Sequence, residues 1–493
     1  MIKHISVYIN LFFVFFISII NLYSQDRNPV SQIQKESLLK NVSILSSKEF
    51  DGRLPGSEGY DKAAKFTANK FLELKLKPFG DAAFFQFLNV EYNRIDTPVV
   101  FKSIIDSVII DYELGKDFVL RGFSGKNNIT LPVAFCGYGL SRPDLGYDDY
   151  QNVNVKNKIV IVFKQNPKWK IDDKEWGSAY PREKSLVAKQ KGAKGILFVS
   201  LPNEDKPQPL IGSVMHGDGE QPVDFPQLHI SIKAANDLLS KVGLTLSKCQ
   251  TKIDEKKKPF SFLTRTKAEV VTTTHYQKEV RTMNVVALLE GNDPVLKNEY
   301  VVIGAHLDHV GSQAGLLFPG ANDNASGTAG VLEIAKAFAS DKVKPKRSVI
   351  FVLFASEEQG LNGSKHFVEN LKMPKEKIVA MLNLDCIGYG DSIQVGNGKS
   401  APNLWQIAEE FDEKNFKLMV RDTWNGGGAD ATPFHEKGIP SLYFVSKYSY
   451  DHLHLPTDTA ETLNPDLFEK IVKLAFLTAK HIADGKYERE IIK

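Results

Sequence analysis

Two adjacent glutamates, Glu357 and Glu358, end an apolar run in the stretch IFVLFASEEQG. Similar runs lead to polar residues elsewhere: VVIGA is followed by His306 and Asp308, and AMLNL is followed by Asp385. Carboxylates that lie close together repel one another unless a cation neutralises them. Imidazole nitrogens and carboxylate oxygens are also ligands of zinc. These residue types at the ends of apolar runs therefore indicate a metal centre.

Two further segments could add ligands to this centre. The run SLYFVSKYSYD leads to His452 and His454, and Asp323 lies in GANDNASG, just before a helical pattern. Taken singly, such residues have simpler explanations, since an Asp before a helix is commonly its N-cap and adjacent glutamates favour the positive end of a helix. Taken together, five strand ends or adjoining loops supply nitrogen and oxygen donors, which favours one bound cation and, better, two.

The elements that would position these residues form a repeating pattern after about residue 265. Short apolar runs such as EYVVIGAH and IVAMLNL are typical of strands covered on both faces. Patterns such as ASGTAGVLEIAKAFAS and PDLFEKIVKLAFLTAKHIADG predict helices between them. This alternation predicts an α/β fold with a mixed, mainly parallel sheet flanked by helices. In such sheets, ligands bind beyond the carboxyl ends of the strands.

Residues 108–262 have a different sequence pattern. Short predicted strands such as NKIVIVFKQNP and FPQLHISI are separated by polar, proline-rich loops. The spacing of residues in this region indicates no cluster of titratable groups. We therefore interpret it as an inserted β-rich module without chemistry of its own. The 493 residues of the chain exceed what one hydrophobic core usually organises, which agrees with more than one domain.

Charge and cysteine content exclude several classes of protein. The chain has 62 basic and 59 acidic residues and a net charge of +3. This nearly balanced charge predicts no strong electrostatic attraction to nucleic acid or anionic lipid. Its three cysteines, Cys136, Cys249 and Cys386, cannot supply a disulfide framework. Stability must therefore come from core burial, helped by any bound metal.

The N-terminus predicts export. Residues 1–24 combine the basic Lys3, a dense apolar run from Leu11 to Ile20 and a polar end at Ser24. This is the pattern of a cleavable signal peptide. A membrane anchor is the alternative, because the apolar stretch 5–23 approaches the roughly 20 residues that span a bilayer. We expect cleavage, and hence a periplasmic or extracellular protein with no stable membrane span.

The ordered segments GAHLDHVG, PGANDNASGTAGVLEIAKAF, FVLFASEEQGLNGSKHF, LNLDCIGYG and HLPTDT resemble those of the M28 family of co-catalytic zinc metallopeptidases. That family includes bacterial secreted aminopeptidases and folate-hydrolase-like carboxypeptidases. The resemblance covers most of residues 265–480, and residues 108–262 resemble a protease-associated (PA) domain. It implies a zinc-exopeptidase-like fold made of residues 26–107 and 263–493, with the PA-like domain inserted between them.

Carried over position by position, the resemblance implies two zinc ions per chain. His306 and Asp385 would hold one ion. Glu358 and His454 would hold the other, and Asp323 would bridge both.

The resemblance also implies roles for the two remaining acidic residues of these motifs. Glu357 would act as general base and not as a ligand, which is possible because successive side chains point in different directions. It would take a proton from the water activated by the metal ions and return it to the departing amine. Asp308 would orient the imidazole of His306 through its second nitrogen.

Some positions fit the family pattern less clearly. His454 is preferred to His452 because its spacing to Asp458 matches the family. Leu453 stands where relatives often carry a Tyr that bonds the oxyanion, so that Tyr448, Tyr450 or another donor would replace it, or the zinc ions would act alone. Asp430 would either support the site or cap a helix. Four further histidines match no ligand position and are interpreted as structural or surface residues: His309, His366, His435 and His452.

We therefore expect an exported dizinc exopeptidase, an aminopeptidase that hydrolyses the N-terminal bonds of peptides. Three alternatives stay open: a folate-hydrolase-like carboxypeptidase or dipeptidase, a glutaminyl cyclase with one zinc, and a non-catalytic, receptor-like binding protein on the same fold. The PA-like insertion and the complete ligand set argue against the cyclase. The complete ligand set also argues against the binding protein.

Overall fold

A computed structural model describes residues 29–177, 180–217 and 219–492. The predicted signal peptide, residues 1–24, lies outside these residues. Among the helices that the structure describes, none has both the length and the apolar character that a bilayer crossing requires. Cys136, Cys249 and Cys386 are buried as free thiols.

One sheet of sixteen strands runs through the described part of the chain, and a two-stranded sheet lies beside it. In chain order the strands are β1 (Lys77–Pro78), β2 (Phe85–Ile105), β3 (Val108–Asp111), β4 (Phe118–Leu120), β5 (Asn127–Cys136), β6 (Ser141–Arg142), β7 (Tyr147–Asp148), β8 (Ile159–Phe163), β9 (Gly195–Val199), β10 (Gln227–Ile230), β11 (Ser261–Leu289), β12 (Tyr300–His306), β13 (Ser312–Gln313), β14 (Leu316–Leu317), β15 (Ser348–Phe354), β16 (Ile378–Leu384), β17 (Ile393–Gly396) and β18 (Ser441–Ser446).

The C-terminal part of the sheet has the order β17-β18-β16-β12-β15-β11. Strands β18, β16, β12 and β15 run parallel to one another, while β17 and β11 run antiparallel at either side. Every residue of β15 and β16 is buried, as expected of apolar strands covered on both faces. The predicted mixed, mainly parallel sheet is confirmed.

Helices cover both faces of this sheet. In chain order they are α1 (Lys35–Leu45), α2 (Glu58–Glu73), α3 (Pro181–Gln190), α4 (Ile232–Leu239), α5 (Leu246–Lys256), α6 (Gly327–Ser340), α7 (Asn362–Glu369), α8 (Pro402–Asn415), α9 (Ala431–Glu436) and α10 (Pro465–Ala483). Side chains of α1, α2, α6 and α10 form one core with Val301, Ile303 and Leu382. On the opposite face, Phe367 of α7 and Phe434 of α9 pack against Phe354 at the end of β15.

The predicted insertion forms the other part of the sheet. Strands β5, β8, β9 and β10 are parallel, and β4 is antiparallel at the outer edge. Side chains of α4 and α5 share a core with Phe135 and Leu197 on one face, and Ala188 of α3 packs with Val162 and Phe198 on the other.

Two long strands, β2 and β11, join the two parts of the sheet. They pair antiparallel from Phe85 beside Val285 to Ile104 beside Lys267. The predicted boundaries at 107 and 262 fall at the outer ends of these strands, where the chain enters and leaves the insertion. The division into residues 26–107, 108–262 and 263–493 stays a prediction.

Candidate metal centre

Most of the side chains predicted to bind metal lie at the carboxyl ends of the central parallel strands. His306 is the last residue of β12, and Asp385 directly follows β16. Glu357 and Glu358 come three and four residues after the end of β15. Because β12 and β15 are parallel, with His306 beside Phe354, their ends meet at one edge of the sheet.

The carboxylate of Asp323 lies between two histidines. Its Oδ1 is 3.2 Å from Nε2 of His306, and its Oδ2 is 3.2 Å from Nε2 of His454. The backbone N–H groups of Asn322 and Asp323 donate to the buried carboxylate of Asp458, at 2.8 and 3.1 Å. These two bonds hold the segment before α6 in place, so that Asp323 faces both histidines.

Two sets of donor atoms share Asp323. The first set is His306, Asp323 and Asp385, and the second is His309, Asp323, Glu358 and His454. Within each set the donor atoms lie within 4.8 Å of one another. Nε2 of His306 is 3.4 Å from Oδ1 of Asp385, and Nε2 of His454 is 2.9 Å from Oε2 of Glu358. Each set can therefore surround one cation.

The chemistry of these donors fits zinc. Oδ1 of Asp385 is buried and accepts no hydrogen bond, while Oδ2 accepts one from the hydroxyl of Tyr443 at 3.3 Å. A buried carboxylate oxygen without a donor is unfavourable unless a cation lies beside it. Mixed imidazole and carboxylate donors are those that zinc prefers. Oδ1 of Asp385, whose contact with Nε2 of His306 is 3.4 Å long, is therefore available to a metal ion.

The two adjacent glutamates differ in their affinity for protons. Burial raises the pKa of Glu357 well above its usual range, and the charges of neighbouring carboxylates raise it further. Burial also acts against the ionised form of Glu358, but His454 and His309 outweigh it and lower the pKa of Glu358 to about 2. One glutamate is therefore an ionised donor, while its neighbour readily holds a proton.

The two histidines beside Asp323 are held in their charged form. Burial alone would lower the pKa of His306, but Asp385 and Glu357 outweigh it and raise that pKa well above its usual range. The pKa of His454 is likewise raised against burial, first by Glu358. Since a metal ligand must be a neutral imidazole, binding of a cation here releases protons.

Asp308 holds the two glutamates through their backbone. Its Oδ1 accepts the N–H of Glu357 at 3.1 Å, and its Oδ2 accepts the N–H of Glu358 at 3.3 Å. Nδ1 of His306 donates to the backbone carbonyl of Asp308 at 3.2 Å, whereas Oδ1 of Asp308 is 3.7 Å from that nitrogen. The backbone carbonyl thus makes the contact that we expected of the carboxylate. In a neutral His306 this bond keeps the proton on Nδ1. The lone pair of Nε2 is then free to bind metal.

His309, interpreted from the sequence as a structural or surface residue, belongs to the second donor set. Its ring is fully buried and packs edge-on against His454, with 5.4 Å between ring centres. Its Nδ1 is 2.8 Å from Oε1 of Glu358 and 3.7 Å from Oδ2 of Asp323. Of the two interpretations, structural or surface, burial therefore excludes the surface one. The signal that could have found it is a second histidine only three residues after His306.

His454, and not His452, faces the centre. Nδ1 of His452 lies 2.9 Å from the hydroxyl oxygen of Thr457, and its ring packs against Tyr389. His366 and His435 lie in α7 and α9 and belong to neither donor set.

Asp430 occupies the N-cap position of α9, but its side chain makes no capping hydrogen bond. It is buried, and burial raises its pKa to about 7. Its charge contributes to the raised pKa of Glu357. Asp430 is thus a buried carboxyl group close enough to Glu357 to raise its pKa, and it makes no capping bond to α9.

The position before His454 is apolar, as the sequence shows. Leu453 packs with Tyr443, whose hydroxyl donates to Asp385. Tyr448, another candidate donor, is 64% exposed. Tyr450 is 54% exposed as a whole residue, but its hydroxyl bonds to that of Tyr443, and burial raises the pKa of Tyr450. Tyr443 therefore places a hydroxyl next to the first donor set, a position that spacing along the chain did not indicate.

Arg53 links the loops that carry the donors. Its guanidinium is fully buried and donates to the carbonyls of Leu307, Pro319, Gly320 and Leu45 at 2.7 to 2.9 Å. Leu307 follows β12, and Gly320 lies three residues before Asp323 in the chain. Spacing along the chain could not indicate Arg53, because Leu307, Pro319 and Gly320 are distant from it in the chain.

A loop of the insertion lies against the second donor set. The N–H of Gly212 donates to the carbonyl of His454 at 2.8 Å. Nδ1 of His216 is 3.1 Å from the carbonyl oxygen of Glu358. The predicted insertion therefore contacts the backbone of two residues of this donor set.

Comparison with known families matches the two parts of the chain separately. The model for peptidase family M28 matches residues 284–479, which contain both donor sets. The model for the PA domain matches residues 127–238, which lie within the predicted insertion.

Similar proteins were found among curated sequences and solved structures. A probable leucine aminopeptidase of Arthroderma benhamiae is 30% identical over 199 residues, which cover 38% of this chain and only 56% of that protein. Aminopeptidase YwaD of Bacillus subtilis is 23% identical over 441 residues, covering 86% of this chain and 80% of that protein. The structure of BSAP, described as a zinc aminopeptidase from Bacillus subtilis, has a TM-score of 0.63 at 20% identity and covers 93% of this chain and 98% of that one. The last comparison shows that the fold is shared.

Proposed function

Because the chain belongs to peptidase family M28 and carries a PA domain, we propose that it is an exported dizinc exopeptidase, an aminopeptidase that hydrolyses the N-terminal bonds of peptides. The observation that carries the proposal is the place of Asp323, whose two oxygens each lie 3.2 Å from a different histidine nitrogen. A carboxylate in this position suits two cations better than one. The names of two similar proteins, both aminopeptidases, support the same activity.

The two zinc ions of this proposal divide between the two donor sets. His306 and Asp385 hold one, Glu358 and His454 hold the other, and Asp323 contributes to both. When bound, the ions polarise the scissile carbonyl and make a water molecule acidic. The chain's own part is to hold these side chains at one edge of the sheet before substrate binds.

Glu357 is the general base in this proposal. It follows the same strand as the ligand Glu358 but belongs to neither donor set. Because burial raises its pKa, it binds a proton readily. It takes the proton of the attacking water and passes it to the nitrogen of the departing amine.

The insertion supports action at a chain end. Its contacts with the backbone of His454 and Glu358, through Gly212 and His216, place a wall beside the second donor set. A wall here limits how far a long peptide can extend past the reacting bond. This arrangement suits an exopeptidase better than an enzyme that cuts within a chain.

Export and substrate complete the proposal. The predicted signal peptide at residues 1–24 would direct the enzyme to the periplasm or the outside of the cell. Its substrates there are peptides with a free N-terminus.

A small peptide panel tests this function. The zinc-loaded protein is given a leucine-alanine-alanine tripeptide, its N-acetylated form and its C-amidated form, and the released amino acid is identified. We expect leucine to be released from the free and the C-amidated peptide, not from the N-acetylated peptide, and not after chelation of the metal. Cleavage of the N-acetylated but not the C-amidated peptide would identify a carboxypeptidase instead. No cleavage of any of the three would contradict the proposal.

A further inference from the structure

Arg182, near the start of α3 in the PA domain, joins two distant segments of the chain. It is 1% exposed. Its Nη1 and Nη2 donate to Oε2 and Oε1 of Glu91 in β2, at 2.8 and 3.0 Å, so that the ion pair is bidentate. The same two nitrogens donate to the carbonyls of Gly217 and Gly219, each at 2.9 Å. Arg182 therefore ties a loop of the PA domain to a strand that precedes the predicted insertion.

This loop can reach Arg182 because two of its residues are glycines. Gly217 has a φ of 88° and Gly219 has a φ of 114°. Residues with a Cβ atom rarely adopt such values. A Cβ atom at Gly219 would also lie 2.6 Å from Cδ1 of Leu186 in α3. The local sequence thus favours a loop that lies against the helix carrying Arg182.

The same loop contacts the segment that carries the two adjacent glutamates. His216, next to Gly217, has its Nδ1 3.1 Å from the carbonyl oxygen of Glu358. Because a carbonyl oxygen only accepts hydrogen bonds, His216 is the donor. Asp308 accepts the N–H groups of Glu357 and Glu358 at 3.1 and 3.3 Å. The backbone of the glutamates is therefore held at its N–H groups by Asp308 and at a carbonyl by the PA domain.

Glu91 provides a second connection between the ion pair and this segment. Its backbone carbonyl accepts Nε2 of Gln359 at 2.7 Å, and Oε1 of Gln359 accepts the hydroxyl of Ser356 at 2.5 Å. Tyr276 of β11 donates its hydroxyl to Oε1 of Glu91 at 2.8 Å. Burial alone would raise the pKa of Glu91, but Arg182 and Tyr276 outweigh it and lower that pKa. Glu91 is thus an ionised partner of Arg182, and its backbone also contacts the segment after β15.

We propose that Arg182 of the PA domain is a positioning residue of the peptidase reaction, because it fixes the backbone that carries Glu357 and Glu358. This inference rests on the proposed function, in which one glutamate moves a proton and the other holds zinc. Both side chains leave the same short segment, so a shift of its backbone displaces the base and the ligand together. A displacement of about 1 Å at reacting groups can lower a rate by about 100-fold.

Steady-state kinetics of zinc-loaded variants on the leucine-alanine-alanine tripeptide test the proposal. Arg182→Met removes the ion pair and both carbonyl contacts, whereas His216→Leu removes only the hydrogen bond to Glu358. We expect each variant to lower kcat by about 10- to 100-fold and to change KM by less than about twofold. His216→Asn can still donate an N–H to the carbonyl of Glu358, and its kcat should lie near that of the wild type.

A double variant tests whether Arg182 acts through His216. Interactions on one route are not additive. Arg182→Met should therefore lower kcat less in the His216→Leu protein than in the wild type. Losses that simply multiply would contradict a shared route.

Arg347 offers a matched control for the loss of a buried arginine. It is 4% exposed and donates to Oε2 of Glu299 and to the carbonyl of Ile482, both at 2.8 Å. None of these residues belongs to a donor set. Arg347→Met should lower the melting temperature and leave kcat unchanged. A loss of kcat equal to that of Arg182→Met would show that any buried arginine has this effect, and would overturn the proposal.

Amide hydrogen exchange of the zinc-loaded protein gives a readout that needs no substrate. Exchange within residues 355–361 should be faster in Arg182→Met and in His216→Leu than in the wild type, and unchanged in Arg347→Met. Wild-type exchange and wild-type kcat in both variants would overturn the proposal. If the wild type cleaved no peptide, the proposed function would fail, while hydrogen exchange would still decide whether Arg182 fixes this segment.

Discussion

Nδ1 of His309 lies 2.8 Å from Oε1 of Glu358, with the two side chains 0% and 5% exposed. The other carboxylate oxygen of Glu358 lies 2.9 Å from Nε2 of His454. An ionised carboxylate only accepts hydrogen bonds, so His309 is the donor of the first contact. Donors of this kind orient a metal ligand and tune its affinity. His309 thus fixes one oxygen of Glu358 and leaves the other for the metal.

Replacement of His309 should weaken one of the two zinc sites. His309→Leu removes the donor to Glu358, and we expect the affinity for one zinc ion to fall by about 10- to 100-fold. His309→Asn keeps an N–H group near the position of Nδ1 and should retain most of the affinity. Competition with a chelator measures both values, and His366→Leu serves as the control outside the donor sets. Equal affinity in the Leu variant and the wild type would show that the contact has no role in binding metal.

Asp308→Asn should slow turnover without unfolding the protein. The carboxylate of Asp308 accepts two N–H groups, from Glu357 and Glu358, whereas an amide accepts only one and turns its own N–H₂ towards the other. We expect a loss of about 10- to 100-fold in kcat/KM.

A matched control for Asp308 exists far from the centre. Asp412, also buried, accepts the backbone N–H groups of Leu418 and Met419 at 2.9 to 3.2 Å. Asp412→Asn should lower the melting temperature but leave kcat/KM unchanged. If both variants lost activity equally, the effect of Asp308 would be one of general stability.

Lys184 should make the stability of the protein depend on pH above neutrality. It is fully buried and donates to the carbonyls of Phe163 and Gln165 at 3.0 and 2.8 Å. Burial lowers its pKa from the usual 10.5 to about 7 although Asp149 opposes the shift. Between these two values the unfolded chain holds a proton that the folded chain has released. The contribution of Lys184 to the free energy of unfolding therefore rises with pH in this window, by at most about 1.4 kcal/mol per pH unit.

Denaturant unfolding between pH 7 and pH 10 measures this effect. The free energy of unfolding of the wild type should rise with pH relative to that of Lys184→Met, which lacks the titrating group. Lys248→Met, at an exposed position of the same domain, should follow the wild type. Parallel profiles for the wild type and Lys184→Met would mean that Lys184 keeps its proton in the folded state.

Much of the fold follows from local patterns in the sequence. The apolar runs around Ile303, Val352 and Leu382 form adjacent parallel strands. Continuous apolar runs are typical of parallel strands that helices cover on both faces. The polar residues that follow these runs came together because parallel strands end at one edge of the sheet.

Contacts between distant irregular segments could not be predicted in this way. His309 lies on a loop without periodicity, so nothing local distinguishes a buried ring from an exposed one. The interpretation that residues 108–262 form a module without chemistry of its own stays a prediction.

In the proposed reaction Glu357 moves a proton and Glu358 holds metal, although the two are neighbours in the chain. The rate of hydrolysis by zinc-loaded Glu357→Gln, measured on a sample of known zinc content, separates these two roles. The amide cannot accept the proton of water, so we predict two zinc ions per chain and a turnover lowered by about 10²- to 10⁴-fold. A wild-type rate with both zinc ions bound would contradict the role of Glu357 as the base.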